Sequence, residues 1–289
     1  MSDPYVALNG AIVAADTAAL AVTDRGFLYG DGIFETIRIT EGVPFRLNAH
    51  VNRLIDSAHL LRFPPTLTAH GIEGTIQALL NANDRRDGTL RITVSRGSSQ
   101  TGLDPNSHDQ DNGTVPSMLI TTAGRRATLA DGCRMVSVAA RRDEQAAISR
   151  VKSTSYLPNI LARFEVKDVG ADEGLLLNTS GAVAECTVSN VFWVRGQVVY
   201  TPSVECGILP GITRAAVLEL ARRDSILVAE GAFDARSLFE ADAVFLTNSL
   251  IGLAAVSSVD DRTFASTENP VLEQLRTAYH ELVANETSP

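Results

Sequence analysis

Asn9-Gly10 lies between two short apolar runs near the start of the chain, Tyr5–Leu8 and Ala11–Ala14. An Asn-Gly pair flanked in this way is the strongest short-range signal of a β-hairpin, because both residues readily adopt the positive φ that a two-residue turn requires. The chain is therefore predicted to begin with two antiparallel strands.

The rest of the chain mixes strand and helix patterns. Glu41-Gly42 separates two further apolar runs and predicts a second hairpin. Asn48 and Thr68 are predicted to cap the first two helices. The predicted strands cover residues 33–40, 43–47, 90–95, 117–122, 133–139, 174–177, 183–187, 191–195, 197–200, 226–229 and 243–247, and the predicted helices cover residues 48–62, 68–83, 156–170, 212–223 and 271–283. Strand runs with hairpins and interspersed helices favour an α+β fold over a doubly wound sheet.

The composition limits the partners of the chain. Its 289 residues carry a formal net charge of −9, and a negative field disfavours nucleic acid and anionic membranes as partners. No apolar run reaches the roughly 18 residues of a membrane-spanning helix. The three cysteines cannot all pair and lack the spacing of metal ligands, which indicates reduced thiols in a cytoplasmic protein.

Lysine is scarce in this sequence. Of 25 basic residues only Lys152 and Lys167 are lysines, and the others are arginines. Any chemistry that needs a primary side-chain amine therefore has two candidates. Lys167 lies within a predicted helix beside Glu165 and Asp168, which is typical of a solvent-exposed helix face.

Common nucleotide and metal motifs are absent from the sequence. Gly30-Asp31-Gly32 lacks the spacing of a dinucleotide-binding fingerprint and precedes no predicted helix, and the sequence contains no P-loop. The five histidines form no His-x-x-x-His pair and no cluster, so no metal site is predicted.

An ordered series of short motifs stands out instead. It comprises TDRGFLYGDGIFETIR at 23–38, HVNRL at 50–54, KSTSYLPN at 152–159, GAVAE at 181–185, SNVF at 189–192, TP at 201–202, LPGITR at 209–214 and FLTNSL at 245–250. In order and spacing, the series closely resembles the class IV aminotransferases, the fold type IV pyridoxal-phosphate enzymes. That family includes branched-chain and D-amino acid transaminases, R-selective amine transaminases and aminodeoxychorismate lyases.

The resemblance implies that the chain binds pyridoxal 5′-phosphate. Lys152 matches the family's Schiff-base lysine, and Glu185 matches the carboxylate that keeps the ring nitrogen protonated. Glu185 also stands in an apolar run, where a carboxylate without a partner would be costly. The other matches to cofactor-binding residues are Arg53, Gly211, Ile212, Thr213 and Ser249 around the phosphate, and Tyr156 at the phenolate oxygen.

The positions that would select a substrate resemble more than one branch of the family. Arg91 matches an element that binds carboxylate in branched-chain enzymes, but Thr89 stands where those enzymes have tyrosine. Where branched-chain enzymes have a Gly-Thr-Ala turn, this chain has Asn-Ser-Leu at 248–250. Together with Phe-Glu-Thr at 34–36, these residues look more like aminodeoxychorismate lyase. The predicted substrate-binding residues are Tyr29, Thr36, Arg91, Asn248 and Leu250.

Two enzymatic activities therefore remain open. The first is transfer of an amino group between an amino acid or amine and a 2-oxo acid such as 2-oxoglutarate or pyruvate. The second is the lyase reaction, which releases pyruvate and p-aminobenzoate from aminodeoxychorismate. A third class, a non-catalytic cofactor-binding protein, is expected to lose Lys152 or Glu185, and this sequence keeps both.

The resemblance also implies the architecture. It predicts a smaller N-terminal α/β domain at residues 1–121 and a larger C-terminal domain at residues 122–289, with a linker at 122–132 and the cofactor between the domains. It further implies a homodimer in which loops of one subunit close the site of the other, and Tyr29 and residues 97–116 are the candidates for that contact.

Overall fold

A computed structural model describes residues 3–99, 102–104, 115–125, 129 and 131–288. The chain divides into two compact units. The first contains the residues up to 126 together with Lys152–Ser155 and Glu286–Pro289, and the second contains residues 127–151 and 156–285. The predicted division into folding domains at residues 121 and 122 stays a prediction, because compactness alone does not test which segments fold independently.

The first unit is built on an antiparallel sheet. Its strands are β1 (Tyr5–Leu8), β2 (Ala11–Ala14), β3 (Gly32–Thr40), β4 (Val43–Pro44), β5 (Gly88–Ser95) and β6 (Ser117–Ala123), and its helices are α1 (Arg25–Tyr29), α2 (Leu47–Leu60) and α3 (Ala69–Ala82). The strand order is β2-β1-β6-β5-β3-β4. Helix α2 packs on β3 and helix α3 on β1, so the apolar side chains of both helices bury one face of the sheet.

Both predicted hairpins are confirmed. Strands β1 and β2 pair around Asn9 and Gly10, which have φ of 51° and 85°, and β3 and β4 pair around Glu41 and Gly42, which have φ of 51° and 83°. Two consecutive positive φ values define the turn whose twist matches that of the flanking strands.

The predicted N-cap of α2 is wrong by two residues. Asn48 is already helical, and the N-cap is Arg46, which has left-handed backbone angles and makes no capping hydrogen bond through its side chain. The Phe45 N–H donates to the Arg38 carbonyl at 2.9 Å, so the chain stays bound to β3 until it reverses at Arg46. The predicted cap at Thr68 is confirmed, since its hydroxyl accepts from the Gly71 N–H.

The second unit is built on a mixed sheet. Its strands are β7 (Cys133–Arg142), β8 (Glu173–Asn178), β9 (Val183–Cys186), β10 (Asn190–Arg195), β11 (Val198–Pro202), β12 (Leu227–Gly231), β13 (Ala243–Asn248), β14 (Gly252–Val259) and β15 (Arg262–Thr263), and its helices are α4 (Leu157–Asp168), α5 (Ile212–Arg223), α6 (Ala235–Phe239) and α7 (Pro270–Glu286). The order is β12-β11-β10-β13-β14-β7-β8-β9, with β15 beside β14. The β11–β12, β14–β7 and β7–β8 pairs are parallel, and the other pairs are antiparallel.

This mixture of largely antiparallel sheets and packed helices confirms the predicted α+β class. Strands β14 and β15 and the five-residue helices α1 and α6 were not predicted. The two helices and β15 are too short for periodicity to show them, and β14 follows a polar turn inside one apolar stretch. Among the described residues, no helix combines the length and apolar character that crossing a membrane requires.

Candidate active site

Lys152 lies in a short extended segment of the first unit that pairs with the start of β3. The Phe34 N–H donates to the Lys152 carbonyl at 2.8 Å, and the Thr154 N–H donates to the Gly32 carbonyl at 2.8 Å. A Cβ atom at Gly32 would lie 2.8 Å from Thr154 Oγ1, so only glycine allows this close approach. The Gly-Asp-Gly motif therefore holds the lysine segment against β3.

The ring of Phe34 lies beside two of the predicted site residues, Lys152 and Arg91. Lys152 Nζ lies 4.6 Å from the centre of this ring, and the guanidinium carbon of Arg91 lies 3.8 Å from it. Thr36 on β3 is directly opposite Arg91 on β5. The structure thus brings the candidate amine and the candidate carboxylate-binding arginine to one aromatic side chain, with Thr36 opposite the arginine.

Arg53 projects from α2 of the same unit. Its Nε donates to Glu35 Oε1 and its Nη2 to Glu35 Oε2, both at 2.7 Å, and His50 Nδ1 lies 2.7 Å from Glu35 Oε2. The guanidinium is therefore held side-on by a buried carboxylate on β3.

Tyr29 ends helix α1 and is bound to the segment at residues 102–103. Its phenol oxygen accepts from the Gly102 N–H at 2.9 Å, and Arg25 stacks on its ring and donates to the carbonyls of Gly102 and Leu103. Its role toward substrate stays a prediction. Of the predicted 97–116 loop, residues 100, 101 and 105–114 lie outside the described residues.

Glu185 lies buried on β9 of the second unit. Its Oε1 is 3.0 Å from Arg142 Nε, and its Oε2 accepts from the Leu209 N–H at 2.9 Å. These two donors stabilise the charged form of the carboxylate and fix its orientation. The buried carboxylate thus has the partner that its apolar surroundings require.

The segment before α5 is held from both sides. Glu185 accepts from the Leu209 N–H, while Asn190 Nδ2 donates to the Leu209 carbonyl at 3.0 Å. A Cβ atom at Gly211 would overlap with Asn190 Oδ1, which favours glycine at this N-cap position. Gly211 has no side chain that could cap the helix. The N-cap residue therefore offers no side-chain acceptor to the N–H groups of Ile212 and Thr213.

A buried hydroxyl lies on the same face of the sheet as Asn190. Thr247 is directly opposite Asn190 in the β10–β13 pair, and opposed residues of antiparallel strands project to the same face. Among the described residues, Thr247 Oγ1 is buried and has no hydrogen-bond partner. An uncapped helix N-terminus with a buried hydroxyl nearby fits a bound anion such as a phosphate group.

The side chain of Asn248 is engaged by its own turn. Its Oδ1 accepts from the N–H groups of Leu250 and Ile251 at 2.9 Å, and its Nδ2 donates to Val188 O and Ser189 Oγ. This uses two acceptor and two donor positions of the amide. A direct contact of the Asn248 side chain with substrate stays a prediction, and the structure gives it the task of shaping the turn that carries Ser249.

Tyr156 lies at the N-cap position of α4, half-buried, and its carbonyl accepts from the Ile160 N–H at 2.9 Å. The structure assigns it to the second unit and Lys152 to the first. Its predicted contact with the cofactor stays a prediction.

The donor set fits a phosphorylated pyridinium aldehyde better than a metal ion. Within the first unit, an amine and a fixed guanidinium suit an aldehyde and a phosphate group. Within the second unit, a fixed carboxylate and an uncapped helix N-terminus suit a protonated ring nitrogen and an anion. The described residues hold no cluster of His, Cys, Asp and Glu side chains suited to a metal.

The family model described as Amino-transferase class IV matches residues 32–259. The chain belongs to the class IV aminotransferases. Members of this family are enzymes that use pyridoxal 5′-phosphate, and the expected family and enzymatic character are confirmed.

The relatives of this class IV aminotransferase have more than one activity. It is 32% identical over 280 residues to the aminodeoxychorismate lyase of Bacillus subtilis (strain 168), and the alignment covers 96% of this chain and 94% of that protein. It is 30% identical over 284 residues to the D-alanine aminotransferase of Bacillus licheniformis, and the alignment covers 98% of each protein. The branched-chain amino acid aminotransferase from Escherichia coli superposes with a TM-score of 0.91 at 27% identity and covers 100% of this chain and 96% of that one.

Three side chains of this class IV aminotransferase were not singled out from the sequence. They are Glu35, which holds Arg53; Arg142, which holds Glu185; and Asn190, which holds the segment before α5. Glu35 had a detectable signal, because a carboxylate between Phe34 and Ile37 in a buried strand needs a partner. Arg142 and Asn190 carried no comparable signal, because their partners, Glu185 on β9 and the Leu209 carbonyl before α5, lie in other segments of the chain.

Proposed function

We propose that the chain is a pyridoxal-phosphate-dependent transaminase that acts on amino acids and 2-oxo acids. The observation that carries this proposal is the shared contact of Arg91 and Lys152 with the Phe34 ring. It puts a guanidinium that can bind a carboxylate close to an amine that can carry a cofactor. A substrate with both an amino group and a carboxylate fits this arrangement.

Each residue then has a separate task. Lys152 Nζ anchors the cofactor and afterwards moves a proton to and from the substrate carbon. Glu185 keeps the ring nitrogen protonated, and Arg142 and the Leu209 N–H hold its carboxylate in position. The phosphate is bound by Arg53, by the N–H groups of Ile212 and Thr213, and by Ser249. When bound, pyridoxal 5′-phosphate supplies a protonated ring that accepts the electron pair released at the substrate carbon.

Aminodeoxychorismate lyase activity is the second candidate. One ground is Thr36, which lies opposite Arg91 and has a hydroxyl that can assist proton transfer. The other is the turn at residues 248–250, which Asn248 shapes. The similarity to the Bacillus subtilis lyase supports it.

A substrate panel with product identification separates the two activities. We expect 2-oxoglutarate or pyruvate to be converted to the matching amino acid when D- or L-amino acids are supplied as donors. Release of pyruvate and p-aminobenzoate from aminodeoxychorismate, without amino transfer to any 2-oxo acid, would establish the lyase instead. R-amines belong in the panel because they lack the carboxylate that Arg91 is proposed to bind.

Arg53 and Arg91 are expected to give opposite kinetic defects. Arg53→Ala should raise the concentration of pyridoxal 5′-phosphate needed for half-activation, and excess cofactor should partly restore activity. Arg91→Ala should leave cofactor affinity nearly intact and raise KM for substrates with a carboxylate, because a charge-assisted pair is lost. Cofactor titration and steady-state kinetics measure both effects. Equal loss of cofactor affinity in the two variants would contradict this division of tasks.

We also propose that the chain forms a homodimer and that α4 contributes to its interface. Leu157, Ile160, Leu161 and Phe164 lie at helical spacing on one face of α4 and are between 46% and 71% exposed. Their positions are symmetric about the midpoint between 160 and 161. A two-fold axis at that midpoint places Leu157 of one copy against Phe164 of the other, as a self-complementary interface requires.

Leu161→Glu is expected to convert the dimer to monomer in light scattering coupled to size-exclusion chromatography, because it introduces a charge into this apolar stripe. Leu227→Glu is the matched control, since Leu227 is 65% exposed on β12 and lies outside the stripe. A dimer that survives Leu161→Glu at low micromolar concentration would remove α4 from the interface, and a monomeric wild type would overturn the dimer itself.

We place the protein in the cytoplasm. Cys133, Cys186 and Cys206 are buried thiols in the structure, and burial raises the pKa of the Cys133 thiol to about 12. Thiols kept protonated by burial react slowly, which suits a reducing compartment.

A further inference from the structure

Glu35 is a fully enclosed carboxylate in the first unit. It lies on β3 among Ile33, Phe34 and Ile37, and only 1% of its surface is exposed. A carboxylate in such surroundings is costly unless hydrogen bonds and an opposite charge compensate it. The role of Glu35 therefore depends on which groups compensate its charge.

Arg53 supplies the opposite charge. Both oxygens of Glu35 accept hydrogen bonds of 2.7 Å from the Nε and Nη2 edge of the guanidinium, and the Arg53 side chain is 11% exposed. This side-on pairing fixes the plane of the guanidinium as well as its position. The helix that carries Arg53 packs on the strand that carries Glu35, so the pair is set by the fold of one unit.

His50 holds Glu35 from the preceding turn of α2. Burial opposes the ionisation of Glu35, but the hydrogen bond from His50 and the charge of Arg53 together lower the pKa of its carboxyl to about 2. An ionised carboxylate can only accept hydrogen bonds, so His50 Nδ1 carries the proton in the 2.7 Å contact. Burial lowers the pKa of His50, which leaves its ring neutral at pH 7.

We propose that Glu35 is a positioning residue of the phosphate site, which orients Arg53 for the phosphate group and is itself oriented by His50. The proposal rests on the proposed function, in which Arg53 binds the cofactor phosphate. A free arginine side chain has several rotatable bonds, and binding an anion would cost the entropy of fixing them. Glu35 removes that cost in advance, because the fold already holds the guanidinium in one orientation.

The test compares pyridoxal 5′-phosphate with pyridoxal, which lacks the phosphate. Glu35→Gln keeps the size of the side chain and removes the charge that holds Arg53. We expect the Kd for pyridoxal 5′-phosphate to rise about tenfold and the Kd for pyridoxal to change by less than about twofold, because the lost order affects the phosphate contact alone. In an Arg53→Ala background, Glu35→Gln should leave the ratio of the two Kd values unchanged.

Asp3→Asn is the matched control. Asp3 is another buried carboxylate of the first unit, and it pairs with both Nε and Nη2 of Arg85. Its replacement should lower the melting temperature without changing the ratio of the two Kd values. If Glu35→Gln folds poorly, His50→Leu loosens Glu35 more gently and should raise the same ratio by a smaller factor.

The outcomes separate the inference from the function on which it rests. A wild-type chain that binds pyridoxal 5′-phosphate no better than pyridoxal overturns the assignment of a phosphate site. A wild type that discriminates between them, with Glu35→Gln weakening both ligands equally, shows a merely structural Glu35 and overturns the inference alone. An effect of Glu35→Gln that persists in the Arg53→Ala background also overturns it.

Discussion

Replacing Lys152 with alanine is expected to abolish turnover and the visible absorbance of the cofactor-loaded protein. Lys152 is one of two lysines in the chain, and its Nζ lies beside Phe34 close to Arg91. Without this amine the cofactor has no covalent anchor and the substrate carbon has no adjacent proton carrier. The absorption spectrum and a steady-state assay measure the two losses. Borohydride reduction of the wild type followed by peptide mapping should place the adduct on Lys152.

Lys167→Ala is the matched control for this experiment. Lys167 is the other lysine of the chain and is exposed on α4. Its replacement should leave the spectrum and the turnover unchanged. An adduct on Lys167, or a Lys152→Ala variant that keeps its visible band, would remove Lys152 from the role proposed for it.

Replacing Glu185 with glutamine is expected to lower kcat by ~10²-fold or more, which corresponds to about 3 kcal/mol of activation free energy. The change keeps the size of the side chain and removes the charge that holds a proton on the ring nitrogen. Cofactor affinity should fall only moderately, because the phosphate contacts are unaffected. Cofactor titration and kcat measured at saturating cofactor distinguish the two effects.

Glu240→Gln provides the comparison for Glu185. Glu240 forms an ion pair with Arg195, and the side chains of both are about half exposed. Exposed pairs contribute roughly 0–1 kcal/mol to stability, so this variant should retain wild-type kcat. If Glu185→Gln also retained kcat, Glu185 would have a structural role, in which it fixes the Leu209 N–H at the start of α5.

The sequence predicted much of the local structure of both units. Asn9-Gly10 specified its hairpin because two adjacent residues with positive φ are enough to define the turn. The helix after Pro210-Gly211 was predicted for a similar reason, since proline and glycine at a helix start act within a few residues. Asn48 was wrongly predicted as a cap because the contact that places the turn at Arg46 comes from β3.

For the candidate site as well, the sequence determined some properties and the tertiary structure decided others. The sequence by itself determined the family, because an ordered series of motifs distributed along the chain does not depend on how the units pack. The tertiary structure decided which groups hold the site residues: Glu35 binds Arg53, Arg142 binds Glu185, and Val188 O and Ser189 Oγ bind Asn248. Such pairs depend on strand register and on the packing of helix against sheet, which bring together residues far apart in the chain. Local patterns carry no information about those distances, so a buried carboxylate could be recognised from the sequence, whereas its partner could be identified only from the fold.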